Sequence, residues 1–203
     1  WKSLELLNKE HLDKSKTICL LHSKEINHEK GSSLNKRLIK STDKANFIIA
    51  NSNFTKDLGI KVGINSSKIK VIFPGIPKPK VIEDKFKTEA ESILKDAFPK
   101  IITVARLEKR KSHDKVLMAI KNLKAKFPNI KYICIGFGKE ENNLKKLSKE
   151  LSIDKEVIFL KNIDENLKLA LIASSNLFLM PSRIDKKSVE GFGISFIEAA
   201  SYN

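Results

Sequence analysis

The chain has 203 residues, 41% of them hydrophobic, so it can bury a core as one domain or as one domain plus part of another. No stretch approaches the roughly 20 apolar residues of a bilayer-spanning helix, which excludes a transmembrane helix. The formal net charge of +15 fits either a solvated lysine-rich surface or an anionic partner, and nothing beside it points to nucleic acid, because no aromatic-studded basic strand or zinc-finger spacing accompanies it.

Taken in chain order, Trp1-Lys2-Ser3-Leu4-Glu5 has neither an initiator methionine nor a basic-then-apolar signal pattern, and reads as a chain entered midway. Short apolar runs rich in β-branched and aromatic residues follow at Thr17–Leu21, Phe47–Ala50, Ile69–Phe73, Ile101–Val104, Tyr132–Ile135, Val157–Leu160 and Leu177–Met180. Their lengths suit strands covered on both faces. Amphipathic stretches at Gly31–Thr42, Asp114–Ala125, Glu140–Leu151 and Glu165–Ala173 read as helices between them. This alternation predicts α/β architecture with parallel sheets and right-handed crossovers. Pro74-Gly75-Ile76-Pro77-Lys78-Pro79 cannot lie within a helix or central strand, and a polar helix-like segment, Glu83–Asp96, follows it. The expected domains are therefore residues 1–76 and 77–203, the second stopping at Ser201-Tyr202-Asn203 inside a helix that has just begun. Cys19 and Cys134 lie within apolar runs, as buried reduced thiols of a cytosolic protein do, and no metal site is expected.

Four segments carry candidate chemistry. Asn51-Ser52-Asn53-Phe54-Thr55-Lys56 follows a strand, where it serves as helix capping or as a ligand-facing polar turn. The strand before Arg106 runs into a cation-rich loop, Leu107-Glu108-Lys109-Arg110-Lys111, so Arg106 and Lys111 are either solvated cations or a fork and a point charge aimed at one anion. Gly136-Phe137-Gly138 is a tight strand-to-helix turn or a shortened phosphate loop lacking the third glycine of a dinucleotide fingerprint. Glu190-Gly191-Phe192-Gly193-Ile194 brackets a Gly-Phe-Gly turn with Glu190 and Glu198 before an apolar helix. Amides near Gly193 and Ile194 would form an anion site, Glu198 would accept from a diol, and Glu190 would reach a sugar hydroxyl.

The ordered series Leu21-His22, Ile49-Ala50-Asn51-Ser52, Val71-Ile72-x-Pro74-Gly75, Val104-Ala105-Arg106-Leu107, Lys111-x-x-Asp114, Gly136-x-Gly138, Val157-x-Phe159-Leu160, Pro181-Ser182 and Glu190 through Glu198 resembles the group 1 retaining glycosyltransferases. That resemblance implies the GT-B fold, two Rossmann-like domains with parallel sheets, both incomplete in this chain. It implies transfer of a hexosyl group, with retention, from a UDP- or GDP-sugar to a glycan or lipid-linked acceptor, with neither metal nor cofactor. Arg106 and Lys111 would hold the diphosphate; Phe192, Gly193 and Ile194 the sugar and diphosphate; Glu190 a sugar hydroxyl; Glu198 the ribose. Asn162 and Ile163 would read the base, Gly136 and Gly138 would line the donor site, and His22 would face the donor sugar. Ala105 and Ser112 stand where the family usually has glycine, and the loop before Glu190 is long. The implied enzyme is cytoplasmic, with a peripheral place on the anionic membrane face. A chain lacking the acceptor-side half is expected to be inactive alone. A non-catalytic nucleotide-sugar-binding module and a GT-B phosphorylase or sugar-phosphate synthase are the alternatives.

Overall fold

The computed structural model describes Trp1–Tyr202, which form two compact units. The first comprises Trp1–Gly75 together with Ile184–Gly193; the second comprises Ile76–Arg183 with the segment beginning at Ile194. Ile184–Gly193, which lies within residues 77–203 of the sequence, packs with the first unit. Its anchors there are the Asn27 side-chain amide, which donates to Lys187 O at 3.1 Å, and the Ser52 hydroxyl, which donates to Gly191 O.

In the first unit a short helix α1 (Lys9–Lys14) precedes β1 (Ile18–Leu21), α2 (Ser33–Thr42), β2 (Phe47–Ala50), α3 (Asn53–Lys61) and β3 (Ile69–Val71). The three strands are parallel in the order β1-β2-β3. Ser32 and Ser52 cap α2 and α3 by accepting the amides of Asn35 and Thr55. The capping role of Ser52 accounts for its hydroxyl–amide contact without a ligand. Cys19, Leu21, Ile48, Ala50 and Ile69 form the core, with Leu38 of α2 packed on them. Ile18, Leu20 and Phe47, on the opposite sheet face, are more than half exposed.

The second unit contains α4 (Asp84–Leu94), β4 (Lys100–Val104), α5 (His113–Leu123), β5 (Lys131–Ile135), α6 (Glu141–Glu150), β6 (Val157–Leu160), α7 (Glu165–Ala173), β7 (Leu177–Phe178) and α8 (Ile194–Ala200). Its parallel sheet has the order β6-β5-β4-β7. Two cores flank it. Val116, Leu117 and Ile120 of α5 and Leu144 of α6 pack on one face; Leu94, Ala170, Leu171 and Ala199 from α4, α7 and α8 pack on the other. The chain runs outward from β4 to β6 and then returns past β4 to β7. The carboxyl ends of β4 and β7 therefore flank a reversal of winding, the place where open α/β sheets leave a crevice for ligands.

Strand ends deviate from the sequence reading where proline intervenes. β3 stops at Val71 before Pro74, and β7 stops at Phe178 before Pro181, although Leu179 N still donates to Ile102 O at 2.8 Å. α8 runs to Ala200; Ser201 follows it with its hydroxyl on Glu198 O at 2.7 Å, and Asn203 lies outside the described residues. Both cysteines are buried and free, and burial pushes the Cys134 thiol up to about 12. Among the described residues no helix is long and apolar enough to cross a membrane.

Candidate functional site

The site is built on the segment after β4. Here the backbone leaves the sheet but stays attached to β5: Ala105 N donates to Ile135 O at 3.0 Å and Leu107 N to Phe137 O at 2.9 Å. Leu107 is buried and pins the turn to the core. A single 3-10 turn, Lys109–Lys111, leads through Ser112 in the left-handed region (φ 56°) into α5.

The two expected cations occupy different surroundings. Arg106 is exposed, its guanidinium paired with Glu108 at 2.9 Å. Lys111 is buried, with Nζ 3.2 Å from the Met180 thioether at the end of β7. Arg110, which the sequence reading passed over, is also buried, and its carbonyl accepts Arg183 N at 2.8 Å. The run Lys109-Arg110-Lys111 was the available signal, but three adjacent cations do not reveal which of them a fold encloses. Arg183 in turn pairs with Asp114 at 2.9 Å. The two segments at the winding reversal are thereby joined.

Gly136 and Gly138 have a backbone role that their pattern does not disclose. A side-chain carbon at Gly136 (φ 149°) would fall on the Ala105 carbonyl oxygen, with the carbonyl carbon 2.9 Å away. One at Gly138 would fall on the Leu107 carbonyl, with Leu107 N and C both at 2.8 Å. The space freed by these glycines holds the Arg106 turn itself, so their bareness admits backbone to backbone.

Under the turn lies a buried polar group that the sequence reading also missed. His113 Nε2 is 3.3 Å from Arg106 O, and Nδ1 is 3.0 Å from Tyr132 Oη and 3.3 Å from Cys134 Sγ. Tyr132 Oη donates to Thr103 Oγ1 at 2.9 Å, and Thr103 donates to Leu179 O. Burial, opposed by the hydrogen bond to Arg106 O, holds the His113 ring below the usual histidine range, and burial raises the Tyr132 hydroxyl well above its own. The histidine stood within the cation-rich segment, but nothing local marks it as buried.

Ser112, where the resembled family usually has glycine, is the weak point of this turn. Its hydroxyl is buried without a hydrogen-bond partner, and its backbone holds a left-handed conformation. Ser112→Gly is expected to raise stability by about 1 kcal/mol, since removing an orphaned hydroxyl and a left-handed Cβ outweighs the added chain entropy. Urea unfolding followed by circular dichroism checks this; a lower midpoint for the glycine variant contradicts it.

Glu198 lies on α8 and pairs with Lys168 of α7 at 2.9 Å, and Lys168 also holds Glu165 at 2.7 Å. Burial alone would depress the Lys168 ammonium, but the two carboxylates outweigh it and hold it above the usual lysine range. Glu198 thus stands as a carboxylate oriented by a half-buried cation. Asn162 is exposed in a left-handed conformation (φ 51°) at the end of β6, and Ile163 packs into the core beside α7. Ile194 is exposed at the start of α8.

His22, Glu190, Phe192 and Gly193 belong to the first unit. His22 N donates to Glu25 Oε1 at 2.6 Å, and Gly191 lies against the His22 carbonyl so closely that a Cβ there would overlap it. Phe192 stacks on Phe73 with ring centroids 6.0 Å apart, Gly193 is left-handed (φ 82°), and Glu190 is half-buried. Apart from Asn162, Ile163 and Ile194, the expected residues thus fall into three groups: the Arg106–Lys111 turn with the two glycines of the β5 turn, Glu198 with Lys168, and the Glu190–Gly193 loop with His22. The first two groups lie in the second unit and the third in the first.

Comparison with known proteins agrees with this fold. The family described as "Glycosyl transferases group 1" matches residues 84–203, more than half of the chain. A GDP-mannose-dependent monoacylated alpha-(1-6)-phosphatidylinositol monomannoside mannosyltransferase of Corynebacterium glutamicum is 30% identical over 123 residues, 60% of this chain and 32% of that protein. A GDP-mannose-dependent alpha-(1-6)-phosphatidylinositol monomannoside mannosyltransferase of Mycolicibacterium smegmatis is 28% identical over 105 residues, 51% of this chain and 28% of its own. The crystal structure of Anabaena HepE in complex with UDP superposes with a TM-score of 0.78 at 19% identity, over 93% of this chain and 52% of that one. The chain thus spans about a third of the curated relatives it matches and about half of this structural neighbour. The profile match, the α/β architecture with parallel sheets and the shared fold lead to one conclusion: the chain belongs to the group 1 glycosyl transferases.

Proposed function

We propose that this chain carries the nucleotide-sugar-binding part of a retaining, metal-independent hexosyltransferase that uses a GDP- or UDP-sugar and a glycan or lipid-linked acceptor. The observation that carries the reading is the cationic Arg106–Lys111 turn at the carboxyl end of β4, beside the reversal of winding in the second sheet. Fixed cations there suit the chemistry of a diphosphate leaving group. As the donor's C1–O bond breaks, its electron pair leaves on the phosphate, and a guanidinium and an ammonium stabilise that charge in place of a divalent ion. The amides of Phe192, Gly193 and Ile194 add neutral donors for the sugar and diphosphate. Glu190 and His22 take the sugar, Glu198 the ribose, and Asn162 and Ile163 the base. GDP-mannose dependence in the named relatives supports a guanine base, and the UDP held by the Anabaena structure supports uracil. Phosphatidylinositol mannoside acceptors of those relatives support a lipid-linked acceptor, for which the +15 charge suits a peripheral place on an anionic membrane face.

Calorimetry of the chain with UDP, GDP and ADP, each with and without chelator, tests the reading. Binding of UDP or GDP that chelator leaves unchanged is expected. Absence of binding to all three sinks it, and binding only with added Mg²⁺ sinks metal independence.

A further inference from the structure

We propose that His113 is a positioning residue for the donor-diphosphate turn, holding the Arg106 backbone through an Nε2–H donated to the Arg106 carbonyl. The inference rests on the reading that this turn meets the donor. Three successive carbonyls of the turn are held. Ala105 O is packed against Gly136, Arg106 O faces His113 Nε2 at 3.3 Å and also accepts Glu108 N at 2.9 Å, and Leu107 O accepts Glu140 N at 3.0 Å. Of these partners, His113 makes its contact through its side chain and the others through backbone, and His113 is 2% exposed.

The tautomer follows from a count of protons. The Cys134 thiol, pushed up to about 12, keeps its proton and can donate it to Nδ1 at 3.3 Å. The Tyr132 hydroxyl gives its one proton to Thr103 Oγ1 (2.9 Å), since Thr103 gives its own to Leu179 O, so of the two neighbours of Nδ1 the Cys134 thiol is the one with a proton to donate, and Nδ1 serves as its acceptor. A neutral ring then has its one proton on Nε2, facing the Arg106 carbonyl, which can only accept. A ring protonated on Nδ1 would set a lone pair against the Arg106 carbonyl, a buried mismatch. The charged groups facing the ring are Lys111 and Asp114, of opposite sign. Because α5 begins at His113, the bracket ties the turn to a helix packed on the core.

Two variants separate positioning from bulk. Glutamine places an amide N–H where Nε2 stands, and asparagine places one where Nδ1 stands. His113→Gln is expected to keep GDP or UDP affinity near that of the parent chain, and His113→Asn to lose about fivefold to tenfold, the worth of one hydrogen bond. Nitrogen-15 NMR of the parent chain should show a neutral imidazole protonated on Nε2. A ring protonated on Nδ1, or two variants of equal affinity, overturns the proposal. If the parent chain binds neither nucleotide, the donor reading fails separately. The proposal is then judged by the ring nitrogens and by backbone shifts over residues 105–112, which asparagine should move and glutamine should not.

Discussion

Arg106→Ala should weaken binding of UDP or GDP by about 10- to 150-fold, the equivalent of one charge-assisted hydrogen bond of about 1.5–3 kcal/mol. The structure refines this expectation, because Arg106 is exposed and already paired with Glu108 at 2.9 Å. An exposed pair of this kind is worth at most about 1 kcal/mol, so a phosphate can displace the carboxylate. Glu108 should therefore act as a competitor, and Glu108→Gln should tighten nucleotide binding by up to about fivefold. Titration calorimetry of both variants at one ionic strength decides the matter. Unchanged affinity in Arg106→Ala would remove the guanidinium from the donor site, whereas weaker binding in Glu108→Gln would show that the carboxylate orients Arg106. Because the fold places the Arg106 side chain in solvent, its loss should leave the unfolding midpoint unaltered, and this separates a binding effect from a structural one.

Gly138→Ala should be strongly damaging to the second unit. The added carbon meets the Leu107 backbone, with N and C at 2.8 Å, and neither atom belongs to a flexible side chain that can swing aside. Relief requires moving the turn that carries Arg106 away from β5. The Leu107 N–Phe137 O hydrogen bond of 2.9 Å would go with it, and buried Leu107 would leave the core. A loss of at least about 3 kcal/mol is expected, in the range reserved for buried backbone clashes. Gly136→Ala should behave alike, since a Cβ there meets the Ala105 carbonyl from a backbone at φ 149° that other residues rarely adopt. Urea unfolding and nucleotide calorimetry together check these variants. If Gly138→Ala melts like the parent chain, the close approach of the two turns is wrong. By contrast Gly75→Ala should be harmless, as nothing lies within 4 Å of a Cβ at that position.

Much of the architecture was legible because a parallel strand covered on both faces is written as an unbroken apolar run. Ile101–Val104, Tyr132–Ile135 and Val157–Leu160 all appear as strands extending no more than one residue beyond those limits. The helix α1 was not legible: Lys9–Lys14 is one and a half turns of mostly polar residues with an Asn8 cap, too short for a period to register. Of the site, the residue types after β4 were readable, since a strand followed by arginine and lysine is a local feature. Their surroundings were not. Lys111 is buried under Met180, a neighbour 69 positions away, while Arg106 on the same turn is solvent-exposed. Likewise Gly136-Phe137-Gly138 announced a tight turn, but only the pairing of β5 with β4 determined that peptide backbone would fill the vacant space.

By itself, then, the sequence determined the alternation of strands and helices, the break at Pro74–Pro79 and the chemical identity of the cations, because periodicity, proline and side-chain charge act over a few neighbouring residues. Tertiary structure alone decided that Ile184–Gly193 packs with the first unit, that Lys168 orients Glu198, and that His113 lies beneath Arg106 among Tyr132, Thr103 and Cys134. Each of these depends on bringing together groups from separate elements and removing the water between them. Burial and partnership are properties of the assembled sheet and its covering helices, and no local stretch of chain encodes them alone.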